Sequence, residues 1–576
     1  MVTMNTIGSD GSPGPSAGPS PAEEAHSSLV KRLLAGAFSE FAGSAPVPGS
    51  VPPGSTSVPE FSNHRSTPSA VPPVHPGAQA ARPNAAPAEE PPTGAHAPES
   101  GEAYAFGEPR YQGSSNPGRG RPEPRHASAN PLREFPPTEP APAPEYYFLR
   151  EGAAGGQPRT AGGPRTPTGS PIPKFDLEGV RRDFPALHQL VHGRPLIWFD
   201  NAATTHKPQA VLDATAQFYA RHNSNIHRAA HTLAERSTEL FEAGREKVRK
   251  FLGAADAKEI VFVRGTTEAI NLVAQSYGRK NIGAGDEIIV SELEHHANIV
   301  PWQLLAEQVG ATLRVIPMDD RGELILEEYV KLLGPRTKFV SVAQVSNSLG
   351  TLVPVEQIIA LAHARDVPVQ VDGAQSTPHL PVNVTALDAD FFVFSGHKIF
   401  GPTGIGALYG KAPLLEAMPP WQGGGHMIRD VRFEKTVYQH APEKFEAGTP
   451  DIAGVVGLGA AIDYLLQLGI PAIAAYEHAL LEYGAQALAT VPGLRPIGTA
   501  PNKASVLAFV IPGLANENIA RLLDRQGIAV RAGHHCALPA VRHFGLESTV
   551  RPSLAFYNTR QEIDELVRVL RSLPRK

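Results

Sequence analysis

The sequence predicts an α/β architecture. A large domain carries a mostly parallel sheet with helices on both faces, and a smaller α/β domain follows at the C-terminus. A long disordered region precedes both. Three observations lead there. The composition breaks sharply near residue 174, with 33 of the 57 prolines falling before it. Beyond that point short apolar runs alternate with amphipathic segments, the pattern of strands buried on both faces. After Pro450 a long helical stretch gives way to alternating strand patterns around Ala504–Ile511. The expected divisions are residues 1–174, 175–445 and 446–576, with the start of the second segment also contributing to the small domain.

Residues 1–174 are rich in Pro, Gly, Ala and Ser, which cannot bury enough apolar surface to offset chain ordering. Three islands interrupt this tail. Leu29–Phe38 has helical apolar spacing after a serine pair, Tyr104 and Phe106 lie close together, and Tyr146–Leu149 is the densest aromatic cluster. Aromatics on a disordered chain serve as docking anchors, or they are incidental sticky residues. From Asp176 to Phe184 the spacing predicts a helix. The runs 259–263, 287–290, 312–316 and 338–342 then read as short buried strands, followed by 367–372 and 391–394.

Composition narrows the function classes. The net charge of −5 is spread along the chain and gives no nucleic-acid footprint. A single cysteine excludes an intrachain disulfide framework and a multi-cysteine zinc or iron–sulfur site, so no metal site is expected. No apolar run reaches the ~20 residues of a membrane span. The first ten residues lack the basic start and apolar core of a secretory signal. A cytoplasmic protein is the expectation.

Chemistry concentrates at the ends of predicted strands. Phe391–Phe394 runs into Ser395, Gly396, His397 and Lys398. A lysine there is costly unless it has a task, and a partly desolvated amine suits a Schiff base; the alternative is a lysine that snorkels to water. Val369–Val371 ends in Asp372, which either faces the same crevice or caps a turn with Gly373. Together an aspartate and a lysine suit pyridoxal phosphate, whose ring nitrogen the carboxylate keeps protonated. Gly265, Thr266 and Thr267 follow a strand and open a helix, either a phosphate cup or an ordinary N-cap. The lone cysteine, Cys536, sits among Arg531, Gly533, His534 and His535, neighbours that favour thiolate. It is otherwise a chance free cysteine in a polar loop.

These blocks, with Phe199–Thr205, Arg264–Asn271, Glu294–Asn298, Ser346–Gly350 and Phe445–Pro450, occur in an order that resembles the class V aminotransferase superfamily. More closely, the chain resembles its group II (Suf-type) cysteine desulfurases, over roughly residues 175–576. His206 and Ala229 depart from the family's usual glutamine and glycine. The resemblance implies the fold type I of pyridoxal-phosphate enzymes, with pyridoxal 5'-phosphate as cofactor. It makes Lys398 the tether and base, and Asp372 the partner of the ring nitrogen. His295 is the stacking, proton-shuttling residue, while His296 is structural. Asn347 and Gln375 bond the ring oxygen, and Thr266, Thr267, Ser395 and His397 bind phosphate. Arg551 takes the substrate carboxylate with Arg531 as a second cation, although either could instead form a surface salt bridge. Thr449 reaches the phosphate of the other subunit, which implies a homodimer.

The implied reaction converts L-cysteine to L-alanine and leaves a persulfide on Cys536. The short loop carrying that cysteine cannot move sulfur far, so a sulfur-acceptor protein must come to it. The segment Gln422–Tyr438 resembles the hairpin that shields the neighbouring active site and engages acceptors. A selenocysteine lyase shares nearly all these motifs. A catalytically idle scaffold acting through its tail is the remaining alternative, against which stand the intact Asp372, Lys398 and Cys536. The tail resembles the extensions of desulfurases packaged in family 2 encapsulin shells, which would place the enzyme inside a nanocompartment. An acceptor-recruiting arm and a passive solubilising tail are the competing readings.

Overall fold

A computed structural model describes residues 176–227 and 230–573. The expected extension, its three islands, and Ala229 lie outside the described residues. At the start, helix α1 (Leu177–Arg182) is capped by Asp176, whose side chain accepts from the Gly179 N–H at 3.0 Å. Strand β1 (Ile197–Trp198) follows, then the long helix α2 (Thr232–Leu252).

The central sheet has seven strands: β2 (Ile260–Val263), β3 (Glu287–Ser291), β4 (Thr312–Ile316), β5 (Thr337–Ala343), β6 (Val369–Asp372), β7 (Phe391–Ser395) and β8 (Gly406–Gly410). Their order across the sheet is β2-β8-β7-β6-β5-β3-β4, and β8 alone runs antiparallel to its neighbours. Strands β2, β3, β6, β7 and β8 are buried along their whole length, which explains their unbroken apolar runs. Edge strand β4 is largely uncovered and correspondingly mixed, with Arg314 between Leu313 and Val315.

Helix α3 (Thr266–Val273) starts two residues after Arg264 at the end of β2. Beyond the sheet lies a two-stranded hairpin, β9 (Ile428–Val431) with β10 (Thr436–Tyr438), whose Val431, Phe433, Val437 and Tyr438 are exposed. The helical stretch after Pro450 is two helices, α4 (Ile452–Leu468) and α5 (Ile470–Ala489). They break at Gly469, whose φ of 84° suits glycine. Among the described residues no single helix is long and apolar enough to cross a membrane. The α4–α5 pair has that composition but bends by 74°, and Val455, Leu458, Ile462 and Leu465 of α4 are buried in the core.

A four-stranded antiparallel sheet completes the C-terminal part, in the order β11 (Arg495–Pro496), β12 (Phe509–Val510), β15 (Thr549–Arg551), β14 (Arg531–Gly533). The expected strand around 504–511 is therefore only two residues long; Ala504 and Val506 instead enter loop contacts with Gly350 and Ser553. Strand β13 (Ile528–Ala529) pairs in parallel with β1, which ties the start of the described chain to this region. Helix α6 (Arg560–Arg571) packs its apolar face here, with Ile563, Leu566 and Leu570 buried.

A buried ion pair lies between the helices and the sheet. Arg245 of α2 meets Glu446 through two bonds of 2.7 and 2.9 Å, and Glu446 also accepts from the Phe262 N–H. The pair pins the chain leaving the hairpin to helix α2 and strand β2.

Candidate active site

The carboxyl ends of β2, β3, β5, β6 and β7 open on one side of the sheet, where ligands of α/β sheets bind. A cavity of about 180 Å³ lies there. It is lined by Thr266, Thr267, His295, Asn347, Asp372, Gln375, Ser395, His397, Lys398, Arg531, Cys536 and Arg551. Residues from β14, from the loop after it and from β15 thus close the mouth over the strand ends. Thr449 is exposed and does not line this cavity.

Asp372 is buried and ends β6. Its Oδ1 accepts from the Ala374 N–H at 2.9 Å, so it caps the turn and faces the cavity at once. Burial holds its carboxyl above the usual range, against the pull of that N–H and of Lys398. Burial pushes the Lys398 amine down to about 8; Asp372 opposes this, and Arg551 adds to it. The amine is therefore partly unprotonated near neutral pH, as a nucleophile or base requires.

At the other end, Gly265 precedes α3 with a φ of 151°, and a Cβ there would lie 3.0 Å from Ser395 Oγ. This close approach lets the Thr266 N–H donate to Ser395 Oγ at 2.9 Å, and Ser395 Oγ in turn meets Thr266 Oγ1 at 2.9 Å. Hydroxyls and a helix N-terminus form a cup suited to an anion. His397 sits beside it, 3.2 Å from Thr204 Oγ1, and burial lowers its ring to about 4. His295 is lowered to about 3 by burial and by nearby Lys398. Its Nδ1 accepts from the Ala297 N–H at 3.0 Å, which leaves the neutral ring's proton on Nε2.

Arg551 is buried, donating to Asn347 O at 2.7 Å and to Asp200 Oδ1 at 3.1 Å. Arg531 lies 3.6 Å from the other Asp200 oxygen. Burial lowers Arg551 to about 10, with Asp200 restoring part of the loss. Three buried polar atoms of cavity-lining residues, Asn347 Oδ1, His535 Nδ1 and Arg551 Nε, have no protein partner. Buried groups of this kind are ordinarily satisfied, so the wall is built for a polar occupant.

Cys536 occupies the four-residue link between β14 and the helix Leu538–His543. Both it and His535 have a φ of 54°, a left-handed conformation that costs about 1–2 kcal/mol per residue. Three contacts impose it. Asn347 Nδ2 donates to His535 O at 2.6 Å, His535 Nε2 meets Thr549 Oγ1 at 2.8 Å, and the His296 N–H donates to Cys536 O at 2.6 Å. The strained backbone presents the thiol to the cavity that holds Lys398.

Sequence reasoning assigned no role to Asp200, the shared anchor of Arg551 and Arg531, although it stood within the block Phe199–Thr205. It also passed over Glu294. That buried carboxyl is raised to about 7 by desolvation while accepting from Ser291, Asn298 and the Ala343 N–H. Its place directly before His295 was the available signal.

This is the fold of pyridoxal-phosphate-dependent transferases, with a lysine and a carboxylate meeting at the strand ends. More particularly, the chain belongs to the aminotransferase class-V family, which matches residues 197–566. It is 62% identical over 399 residues to the cysteine desulfurase of Synechococcus elongatus, covering 69% of this chain and 64% of that one. The chain therefore spans just under two thirds of that relative's length. Against the cysteine desulfurase of Pectobacterium atrosepticum identity is 51%, over 70% of this chain and 98% of the relative. The crystal structure of the Escherichia coli cysteine desulfurase CsdA superposes with a TM-score of 0.64 at 44% identity, over 69% of this chain and 97% of that one.

Proposed function

We propose that the chain is a pyridoxal-phosphate-dependent cysteine desulfurase, converting L-cysteine to L-alanine and leaving the sulfur on Cys536. The observation that carries this is the shared cavity: Lys398, Asp372, Arg551 and Cys536 line one space. The relatives named cysteine desulfurase support the same reading. So does the fit of the cavity to the cofactor, through the hydroxyl cup at Gly265 and the unpartnered Asn347 Oδ1.

In this reading Thr266, Thr267, Ser395 and His397 hold the phosphate, Asp372 the ring nitrogen, and Asn347 and Gln375 the ring oxygen, while His295 covers the ring. Bound there, the cofactor supplies an aldehyde for the amino group and a ring that draws electrons from the substrate's Cα–H bond. Lys398 takes the Cα proton; its lowered amine suits a base at neutral pH. Arg551 and Arg531 bind the carboxylate, Arg551 through its fork. The Cys536 thiolate attacks the substrate sulfur, the carbon–sulfur bond breaks, Cβ gains a proton, and Lys398 returns one to Cα. Thiol plus cysteine thus becomes persulfide plus alanine, with no external oxidant.

The link between β14 and the next helix is four residues, which supports the group II reading and an acceptor protein that approaches the site. The exposed Thr449 and the uncovered apolar hairpin around Phe433 support a homodimer in which each subunit completes the other's site. We assign residues 175–445 to the cofactor domain and 446–576 to the small domain. Residues 1–174 are proposed to load the enzyme into an encapsulin shell, since several weak anchors on one chain gain avidity from effective concentration. Deleting them should leave desulfuration intact and abolish co-purification with the shell; equal packaging of the truncated enzyme overturns this assignment.

Incubating the purified full chain with L-cysteine tests the main reading. Alanine should form, and Cys536 should gain the mass of one sulfur atom. Absence of both sinks the assignment, and a parallel reaction with selenocysteine separates desulfurase from selenocysteine lyase.

A further inference from the structure

Cys536, which lines the cavity, and two neighbouring histidines form a set that the proposed turnover does not use as a unit. His296, His534 and Cys536 each offer a ligand atom, and these atoms lie within 4.8 Å of one another. The rings of His296 and His534 are stacked, 5.4 Å between centroids and 29° apart. Main-chain bonds hold the set together. The Leu538 N–H donates to His296 Nε2 at 3.1 Å, the Cys536 N–H donates to His534 Nδ1 at 3.1 Å, and the His296 N–H donates to Cys536 O. His534 is exposed and the other two are partly so, which leaves a path from solvent.

One thiolate and two imidazoles form a soft-to-borderline donor set. It suits zinc and disfavours magnesium or calcium, which take oxygen ligands. Three protein ligands leave one tetrahedral position for water. Around zinc, such ligands sit about 3.3–3.6 Å apart, given metal–ligand bonds of about 2.0–2.3 Å. Closure from the present spread is therefore about 1 Å, within reach of a rotation of the exposed His534.

We propose that His296, His534 and Cys536 bind a thiophilic divalent cation of the zinc class, and that its binding reversibly masks the sulfur-carrying thiol. That the cation arrests sulfur transfer rests on the desulfurase reading; the site itself does not. On binding, the Cys536 thiol gives its proton to solvent and its sulfur to the metal, and each imidazole gives a lone pair. Where the ligating nitrogen now accepts a backbone N–H, that N–H turns to water. Nothing is oxidised or reduced.

Cys536 is the chain's sole cysteine, so its alkylation reads this site alone. The purified full chain is washed with chelator, and zinc ion is the probe. Zinc should slow alkylation of Cys536 by iodoacetamide at least about tenfold, because a ligated thiolate is no longer a free nucleophile. That protection should vanish in His534→Ala and His296→Gln. Titration against a chromophoric chelator should show one fewer tight zinc per chain in both variants and in Cys536→Ser; the visible absorbance of bound cofactor reports that each is folded. Equal alkylation with and without zinc overturns the proposal, as does a zinc count unchanged by His534→Ala. Zinc protection in a chain that yields no alanine would keep the site and remove the desulfurase reading.

Discussion

The unprotonated Lys398 amine is what the proposed chemistry needs, and the surroundings of that amine set how much of it exists. Burial lowers it from 10.5 to about 8. At pH 7.5 about a quarter of the amines are then unprotonated, against about one in a thousand for an ordinary lysine, an advantage of roughly 200-fold. An amine condenses with an aldehyde only when unprotonated. The chain stripped of cofactor should therefore capture added pyridoxal phosphate at a rate that climbs with pH and levels off above a midpoint near 8. Absorbance of the lysine-bound cofactor, followed after mixing across about pH 6 to 10, measures this. The neighbours fix the signs of two further shifts. Asp372 favours the ammonium, so Asp372→Asn should move the midpoint down. Arg531 disfavours it, so Arg531→Met should move the midpoint up, by less because its side chain is 46% exposed and screened by water. A midpoint near 10.5, or a rise in Asp372→Asn, would refute the argument. The same shift bears on stability. Between 8 and 10.5 the unfolded chain holds a proton on this lysine that the folded, cofactor-free chain has released. The contribution of Lys398 to folding therefore becomes more favourable as pH rises through that window.

Further outcomes follow from the same contacts. Cys536→Ser should keep the cofactor's visible absorbance but form neither persulfide nor sulfide from cysteine, as read by mass and by sulfide release; normal turnover would show that another group carries the sulfur. Arg551→Lys loses the planar fork, so KM for cysteine should rise about 10–100-fold in steady-state kinetics with a smaller change in kcat. Glu446→Gln leaves the buried Arg245 guanidinium with only the half-exposed Glu242 as its anion, and should destabilise the protein in chemical denaturation by less than the about 3–5 kcal/mol of a wholly unpaired buried charge.

What the sequence revealed depended on how local each signal was. Strands β2, β3, β6 and β7 are covered on both faces, so their apolar runs stand out, and each ends in residues of a different chemistry. That contrast exposed Asp372 and Lys398 without any knowledge of contacts. Strands β1, β12 and β13 are two residues long, too short for a period to register, and β13 finds β1 only across the fold. The same distance hid the support of the site. Asp200 and Arg551 are 351 residues apart, yet one carboxylate orients that guanidinium and lies near Arg531. His296 and Cys536 are joined by one backbone bond across 240 positions, so nothing local marked His296 as a neighbour of the thiol. Asn347, Gln375, His295 and Arg551 of the same cavity were marked only by the family resemblance, while Asp372, Lys398 and Cys536 carried their chemistry in their own neighbourhood. Residues that hold those residues in place did not, because their partners are chosen by the fold. The left-handed backbone at His535 and Cys536 belongs to this second kind. Neither residue type prefers it, and it stands because Asn347, Thr549 and His296, from three other parts of the chain, impose it.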